Sequence, residues 1–308
     1  MKAAFFRKHG GPDVMEYGDI ADPVAAAGQV LVDVHAASVN GADWKVRAGT
    51  YAPIENLPYI PGRDFSGVVC ALGAGVTDFK IGDEVFGVCD VGQEQAYAEK
   101  VAIKASIIAK KPAGLSHVEA AALSLIGLTA LVSVEDTIKL KSGEKILIQG
   151  GAGGVASYAV QLAKHLGATV VTTASKANHE YVKSLGADEA IDYSAVDFTT
   201  VVSGCDAAFE TVGGGDLVQR TFAVLKPGGR AAFIGSGQTA PAADRTDVQS
   251  LRPRVGRTRA HMERIADLAL KGAVKAPEIK LFSLQEAAAA HKISEGRHFR
   301  GKLVFKLK

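Results

Sequence analysis

A glycine-rich turn between an apolar strand and a helix constrains the fold of this chain most strongly. Residues 145–149 (KILIQ) are typical of a buried strand, and residues 155–166 have the apolar spacing of a helix. Gly151 and Gly153 lie between the two, and Ala156 lies in the predicted helix. Together they match the glycine pattern of dinucleotide-binding βαβ units, in the form that ends with alanine. The pattern predicts that Gly151 permits the turn, that Gly153 lets backbone amides approach a pyrophosphate, and that Ala156 lets the helix pack closely on the sheet.

Strands and helices alternate after this turn, whereas the first part of the chain is different. Further strands are predicted at 169–173, 190–193, 207–211 and 230–234, with helices at 178–185 and 217–225. Such alternation is typical of a parallel sheet with right-handed crossovers. The first 110 or so residues contain short strands, such as 29–36, separated by turn residues, and predict a β-rich domain. The last alternating run, 301–305, is a strand that we expect to return to this first domain.

The end of the second predicted strand bears on the choice of dinucleotide. An NAD site places an acidic side chain there to accept hydrogen bonds from the ribose hydroxyls. Residues 174–179 contain no Asp or Glu, and the first acidic residue is Glu180. Ser175 and Lys176 instead offer a hydroxyl and a cation, which suit the additional phosphate of NADP. The sequence therefore favours NADPH.

Composition excludes a wholly disordered chain, and the charge balance gives no reason to expect a polyanionic partner. Hydrophobic residues make up 47% of the 308 residues, which is enough for sizeable cores. Lys plus Arg (35) nearly balances Asp plus Glu (33), so we expect no nucleic-acid partner. Five arginines form a basic run, which we interpret as a solvated face or a subunit contact rather than an RNA site: Arg245, Arg252, Arg254, Arg257 and Arg259.

Cysteine and histidine usage bears on metal binding and location. The three cysteines, Cys70, Cys89 and Cys205, are far apart, and none of the eight histidines is paired with a Cys, His or carboxylate at ligand spacing. We therefore expect no catalytic zinc and a reducing compartment. The amino terminus has no secretion-signal pattern and no apolar run long enough to span a bilayer is apparent, so we predict a cytoplasmic protein without a membrane partner.

Ordered motifs along almost the whole chain carry a family resemblance. They lie at 37–45 (ASVNGADWK), 61–67 (PGRDFSG), 96–99 (AYAE), 127–130 (GLTA), 185–188 (LGAD), 225–229 (LKPGG) and 300–302 (RGK), besides the glycine turn. The chain resembles the zinc-independent medium-chain dehydrogenases/reductases, in the group of quinone oxidoreductase and ζ-crystallin. The zinc enzymes of this superfamily have a His-Glu pair where this chain has Arg63 and Asp64, a ligating cysteine near Asn40, and a four-cysteine lobe, none of which is present in this sequence.

The resemblance implies an α/β fold of two domains. Residues 1–124 and 254–308 would form a GroES-like, β-rich catalytic domain, and residues 125–253 a Rossmann domain, a doubly wound parallel sheet, that binds NADP. A homodimer is expected by analogy with the fold, with 247–251 as the candidate edge strand.

The resemblance also implies the residues of the cofactor site. The glycine turn with the start of its helix would bind the pyrophosphate, one group of residues would surround the adenosine phosphate, and another would lie at the nicotinamide. The residues at the pyrophosphate would be Gly151, Gly153, Gly154 and Val155. Those at the adenosine phosphate would be Ser175, Lys176 and Tyr193. Those at the nicotinamide would be Asn40, Thr129, Val212, Ile234, Gly235 and Ser236. Lys45 is a further cofactor candidate, at a position where some relatives have a tyrosine.

These residues lead to a functional hypothesis. Without a metal, the substrate must itself accept a hydride well, as quinones and α,β-unsaturated carbonyls do. We expect an NADPH-dependent oxidoreductase for such acceptors, with Tyr51 as the candidate that orients or protonates the substrate. Two alternatives stay open: an NADPH-binding crystallin-like or RNA-binding protein without significant catalysis, and an alcohol dehydrogenase-type activity.

Overall fold

The chain forms two compact units. The computed structural model describes residues 1–51, 54 and 56–308. The unit built from both ends of the chain, here the terminal unit, comprises Met1–Leu125, Arg257–Leu270 and Ala276–Lys308. The other, the central unit, comprises Ile126–Gly256 and Lys271–Lys275.

Short strands dominate the terminal unit, and strands alternate with helices in the central one. The strands are β1 (Lys2–Phe5), β2 (Glu16–Asp19), β3 (Gln29–Ser38), β4 (Asp64–Leu72), β5 (Glu84–Val88), β6 (Lys100–Lys104), β7 (Ile108–Lys110), β8 (Lys145–Ile148), β9 (Thr169–Thr173), β10 (Glu189–Ile191), β11 (Cys205–Glu210), β12 (Leu225–Phe233), β13 (Gln249–Leu251), β14 (Ile279–Phe282) and β15 (Lys302–Lys306). The α-helices are α1 (Gly41–Arg47), α2 (His117–Leu131), α3 (Gly154–His165), α4 (His179–Ser184), α5 (Leu217–Ala223), α6 (Arg259–Leu270) and α7 (Ala287–Gly296).

A seven-stranded sheet forms the centre of the terminal unit. Its strands lie in the order β14-β15-β3-β4-β5-β7, and β6 also pairs with β3. Alternate residues of β3 are buried because one face of the strand packs on the core that contains Phe65, Tyr97 and Phe305. The last strand pairs antiparallel with β3, with Val304 opposite Ser38. The expectation that the end of the chain returns to the first domain is therefore confirmed.

The central unit contains a six-stranded sheet in which every neighbouring pair is parallel. The strand order is β10-β9-β8-β11-β12-β13, so the chain runs outward from β8 to one edge and then returns to build the other. This is the doubly wound order of dinucleotide-binding folds, in which ligands bind outside the carboxyl ends of the strands where the order reverses. The predicted α/β fold is confirmed. The point at which the strand order reverses lies between β8 and β11.

Two predicted boundaries in the central unit are wrong. The helix expected to reach residue 225 ends at Ala223, and β12 begins at Leu225 rather than at Arg230. The Pro-Gly-Gly sequence at 227–229 therefore lies within the strand, where the pairing with β11 shifts register. Because the strand carries this irregularity, turn-forming residues occur in it without ending it.

The helical stretch His117–Ile138 continues from α2 into a π-helical segment, Val132–Ile138. By length and composition alone it is apolar enough to cross a membrane, although the sequence suggested no such run. However, 72% of its most apolar window is buried inside the protein. Burial in the core therefore accounts for its apolar character.

Candidate functional site

The glycine turn after β8 is shaped by two glycines with different roles. Gly150 has φ +75°, so it is the residue that takes the left-handed conformation of the turn. Gly151 does not, but a Cβ built on it would lie 2.2 Å from Oγ1 of Thr172. Gly151 is therefore needed for a close approach to β9, and the sequence prediction that it permits the turn applies instead to Gly150.

Two threonines of β9 hold the glycine turn in place through hydrogen bonds. The Thr172 hydroxyl donates to the carbonyl of Ile148 at 2.6 Å, and Thr172 is fully buried. The Thr173 hydroxyl accepts from the Gly150 amide at 3.0 Å, and the Thr173 carbonyl accepts from the Gly151 amide at 2.9 Å. The position of the turn relative to the second strand is therefore set by hydrogen bonds on both sides.

Helix α3 begins directly after this turn and presents its amino-terminal end there. Gly153 is the N-cap, and as a glycine it supplies no capping side chain. The first amides of a helix, here those of Gly154 and Val155, have no partner within the helix and lie at the positive end of its dipole. Ala156 is 1% exposed, in agreement with its expected close packing. This arrangement fits the pyrophosphate of a dinucleotide.

The residues predicted near the adenosine phosphate follow the next two strands at the same sheet edge. Ser175 is half-buried after β9 and accepts from the side-chain amide of Asn178 at 3.0 Å, and Lys176 is exposed. Tyr193 follows β10 and is 58% exposed. The strand predicted to include Tyr193 ends at Ile191.

An aspartate that the sequence analysis did not consider follows β10. The pKa of Asp192 is lowered, first by hydrogen bonds from the side chain and backbone of Ser194 and then by the nearby charges of His179 and Lys176. A carboxylate therefore lies near enough to the cation assigned to the NADP phosphate for the two charges to interact. Its place directly after a parallel strand was the signal that could have identified it.

Glu210, at the carboxyl end of β11, organises the loops predicted at the nicotinamide end. It is fully buried, and its Oε1 accepts from the amides of Val212, at 2.5 Å, and Gly213. Its Oε2 accepts from the Ser236 hydroxyl at 2.9 Å. One carboxylate thus joins the loop after β11 to the loop after β12, which begins with Ile234 and Gly235. Glu210 is not among the residues predicted from the sequence, although it lies at the same edge as the glycine turn.

Thr129 lies half-buried on α2, in the part of that helix that belongs to the central unit. The structure therefore places the predicted nucleotide-binding residues from Thr129 to Ser236 in one unit, and Asn40, Lys45 and Tyr51 in the other.

Asn40 is held by a buried hydrogen-bond network in the terminal unit. Its side-chain amide donates to the carbonyl of Ser38 at 3.2 Å and to Asp64 at 2.8 Å. Its Oδ1 accepts from the ammonium of Lys302 at 2.7 Å. Burial lowers the pKa of Lys302, and the charge of Asp64 opposes that effect. The carboxamide predicted to face the nicotinamide is thus fixed by three partners.

Lys45 is packed against an aromatic ring. Its ammonium lies 5.7 Å from the centroid of the Trp44 ring, and the guanidinium of Arg297 lies 5.8 Å from the same ring. Burial and the charge of Arg297 lower the pKa of Lys45. The structure therefore gives Lys45 a packing role, and its predicted contact with the cofactor stays a prediction.

A second buried cluster, here the Arg63 cluster, consists of Asp43, Arg63 and Glu94. Arg63 is 4% exposed, and its Nη2 lies 3.1 Å from Glu94 Oε1 and its Nε 3.6 Å from Asp43 Oδ1. Tyr59 donates to Glu94 at 2.6 Å. The guanidinium also lies 4.8 Å from the centroid of the Tyr51 ring. In the sequence, Arg63 is distinguished only as a departure from the zinc enzymes.

Burial perturbs the pKa of one acid of this cluster, Asp43. It raises the pKa of Asp43 to about 6, although the Arg63 charge and a 2.7 Å hydrogen bond from the Tyr97 hydroxyl oppose the shift. Arg63, Tyr59 and Glu94 also line a cavity of about 520 Å³ whose other walls include Val46, Ile54 and Val91. The cavity has the volume of a small-molecule site, and its walls combine apolar side chains with polar and charged ones.

The basic run does not form a free cationic surface. Arg245 binds Asp247 and two carbonyls, and Arg252 donates to the Phe233 carbonyl at 2.6 Å. Arg257 donates to the Cys89 carbonyl, and Arg259 pairs with Asp78. These four side chains hold loops and helix ends together, whereas Arg254 is exposed, and the expectation that the run is not an RNA site stays a prediction.

Known families and proteins match both parts of the chain. Residues 26–115 match the family described as alcohol dehydrogenase GroES-like domain, and residues 185–305 match that described as zinc-binding dehydrogenase. A 2-haloacrylate reductase from a Burkholderia species is 32% identical, with 98% of each chain covered. The solved quinone oxidoreductase of Coxiella burnetii is 36% identical with a TM-score of 0.93, covering 100% of this chain and 99% of that one.

One plant relative has a cofactor, NADPH, in its name. The chloroplastic NADPH-dependent alkenal/one oxidoreductase of Arabidopsis thaliana is 36% identical over 78% of this chain and 64% of its own length. The chain spans about two thirds of the length of such plant relatives.

One of the two matching families is described as a zinc-binding dehydrogenase, but the described residues of this chain do not fit a zinc ion. Among the residues that the structure describes, no group of three or more His, Cys, Asp or Glu could hold a metal. Arg63 is a cation, and the Asp64 carboxylate already accepts from Ser38, Asn40 and the Leu125 amide. Relatives that match over nearly the whole of both chains, together with the doubly wound sheet, agree with the family resemblance found in the sequence. The chain belongs to the medium-chain dehydrogenase/reductase superfamily, within its quinone oxidoreductase family.

Proposed function

We propose that this protein is an NADPH-dependent oxidoreductase that reduces quinones or α,β-unsaturated carbonyls without a metal. The observation that carries the proposal is the carboxyl edge of the parallel sheet. There, the glycine turn, the start of α3 and the Glu210-bound loops meet where doubly wound folds bind dinucleotides. The names of the relatives, which include a quinone oxidoreductase and an NADPH-dependent alkenal/one oxidoreductase, support the same chemistry.

The side chains at that edge fit NADPH. The amides of Gly154 and Val155 would bind the pyrophosphate, and Ser175, Lys176 and Tyr193 would surround the adenosine phosphate. Val212 and the loop 234–236, held by Glu210, would lie at the nicotinamide end. When bound, NADPH supplies a hydride with its two electrons.

The terminal unit would supply the groups that act on the acceptor. Tyr51 is 37% exposed and its ring lies on the Arg63 guanidinium, so a substrate can reach this side chain, which would protonate or orient it. Asn40, held rigid by Asp64 and Lys302, would orient the nicotinamide rather than exchange protons. In this proposal, 1–124 with 254–308 is the catalytic domain and 125–253 the cofactor-binding domain.

NADPH oxidation by chelator-treated protein tests the proposal. We expect turnover with 9,10-phenanthrenequinone, a naphthoquinone or a short alkenal, and slower turnover with NADH. Loss of turnover after chelation, restored by zinc, would favour an alcohol dehydrogenase-type enzyme. NADPH binding without turnover of any acceptor would favour a crystallin-like binding protein, and salt-dependent RNA affinity an RNA-binding one.

Two further expectations belong to the proposal. We infer a homodimer, because β13 leaves one edge of the parallel sheet unpaired within the described part of the chain. We also infer a cytoplasmic location, because the three cysteines are free thiols.

A further inference from the structure

We propose that Arg63 is a positioning residue for proton transfer: its guanidinium holds the Tyr51 ring and stabilises the phenolate that Tyr51 becomes when it gives up its proton. The inference rests on the proposed function, because it concerns the acid of that reaction. It is carried by the packing of a buried cation on an exposed phenol, and by the groups that fix that cation.

The contact between the two side chains is direct. The central guanidinium carbon of Arg63 is 4.8 Å from the centroid of the Tyr51 ring, well within the range of a cation–π contact. Tyr51 is 37% exposed, whereas Arg63 is 4% exposed. A substrate can therefore reach the phenol, while solvent hardly reaches the cation beneath it. A charge that is shielded from water acts more strongly on its neighbours.

Several groups keep Arg63 in place and charged. Glu94 binds its Nη2, and Glu94 is itself held by the Tyr59 hydroxyl. The Arg63 carbonyl accepts from the Cys89 amide at 2.6 Å. Burial alone would lower the pKa of Arg63, but the charges of Asp43 and Glu94, together with the Tyr51 hydroxyl, raise it. These groups therefore favour the charged form of Arg63.

The other charged groups around Tyr51 do not replace Arg63. Arg257 is partly buried and interacts electrostatically with Arg63, Glu94 and Tyr51, but its Nε donates to the Cys89 carbonyl at 3.1 Å. Asp43 and Glu94 are negative and oppose the formation of a phenolate. The Arg63 guanidinium is thus the cation that is stacked on the ring.

The proposed step is balanced. Hydride addition to the acceptor carbon leaves an enolate, or a hydroquinone anion, that needs one proton. The O–H bond of Tyr51 breaks, its proton forms the new bond to this anion, and the electron pair remains on the phenolate oxygen beside Arg63. Water then returns a proton to Tyr51. Arg63 exchanges no proton in this sequence; it acts through Tyr51 and makes no bond to the substrate.

The test compares Arg63→Gln, Arg63→Lys, Tyr51→Phe and the double variant Arg63→Gln/Tyr51→Phe. Arg259→Gln is the matched control, because Arg259 lies 4.9 Å from the Phe79 ring, pairs with Asp78, and belongs to the same unit. For each protein, kcat and KM are measured with a short alkenal in H₂O and D₂O, together with the NADPH Kd and the melting temperature.

Arg63→Gln should lower kcat about 10- to 100-fold, the range expected when a developing charge loses one charge-assisted partner. The NADPH Kd should change less than twofold, the solvent isotope effect on kcat should increase, and Arg63→Lys should recover part of the rate. The double variant should be no slower than Tyr51→Phe, because Arg63 acts only through Tyr51.

Two results would overturn the inference while leaving the proposed function intact: an Arg63→Gln loss that multiplies with that of Tyr51→Phe, or a kcat and isotope effect equal to those of Arg259→Gln. Should Arg63→Gln fail to fold, a wild-type rate and isotope effect in Tyr51→Phe would have the same consequence. A wild-type protein that reduces no acceptor would instead refute the proposed function, and the inference with it.

Discussion

Replacing Gly151 by alanine should damage the cofactor site by disturbing the contact between the glycine turn and β9. The new Cβ would lie 2.2 Å from Thr172 Oγ1 and 3.0 Å from its Cγ2, far closer than real side chains approach. Thr172 is fully buried and its hydroxyl is bonded to the Ile148 carbonyl, so a movement of this side chain would break a buried hydrogen bond. The turn must therefore shift, and the amides of Gly154 and Val155 shift with it.

The magnitude follows from these contacts. Overpacking a buried site costs about 1–3 kcal/mol of stability, which lowers the melting temperature by about 2–4 °C per kcal/mol in a chain of this order of size. Misplacing one charge-assisted hydrogen bond to the pyrophosphate costs about 1.5–3 kcal/mol, or about 10- to 100-fold in the NADPH Kd. Fluorescence titration with NADPH and thermal unfolding without ligand measure the two effects separately.

Gly153→Ala is the matched control, and Thr172→Ala the rescue. A Cβ on Gly153 would meet only the Gly150 carbonyl, at 3.3 Å, so this variant should keep its stability even where it weakens NADPH binding. Adding Thr172→Ala removes the atoms that clash, so Gly151→Ala/Thr172→Ala should be more stable than the sum of the single effects predicts. Wild-type stability and NADPH affinity in Gly151→Ala, or equal destabilisation by Gly153→Ala, would refute this reasoning.

Three other substitutions test the remaining parts of the site. Lys176→Ala should weaken NADPH binding about tenfold and leave NADH binding nearly unchanged, since only NADPH has the additional phosphate; equal losses in a titration would contradict the assignment. Glu210→Ala should lower the melting temperature and weaken NADPH binding about tenfold or more, because the Val212 amide and Ser236 lose a buried acceptor, whereas Glu210→Gln, which keeps one acceptor oxygen, should lose less. Because burial raises the pKa of Asp43 from 3.8 to about 6, the folded state binds this proton more tightly than the unfolded one; the contribution of Asp43 to stability should therefore fall, by up to about 3 kcal/mol, as pH rises from 4 to 6. Urea unfolding at several pH values should show that Asp43→Asn removes this dependence, and parallel curves for the two proteins would count against it.

The sequence alone was sufficient for the central unit as a type of fold. The apolar strand, the glycine turn and the helix after it are adjacent in the chain, and each is recognised by a short local pattern. The missing acidic residue after β9 is also a local feature, and so the preference for NADPH could be predicted. The family resemblance extended these patterns to the terminal unit.

The order of the strands and the details of the turn needed the tertiary structure. Gly150 takes the left-handed conformation, and the requirement for glycine at 151 comes from Thr172 on the neighbouring strand. The Pro-Gly-Gly sequence at 227–229 resembles a turn locally, yet β12 pairs with β11 on both sides of it, at Leu225 and at Arg230, so the strand continues through it. In both cases a contact between segments that are distant in the chain decides the outcome.

Only the tertiary structure revealed the buried charges. Glu210 joins two loops through Val212 and Ser236, and Arg63 is brought beneath Tyr51 by the packing of the terminal unit. No spacing in the sequence distinguishes these residues from ordinary surface charges. The physical reason is that local patterns record which backbone conformation a segment prefers, whereas the environment of a charge depends on which distant groups surround it after folding.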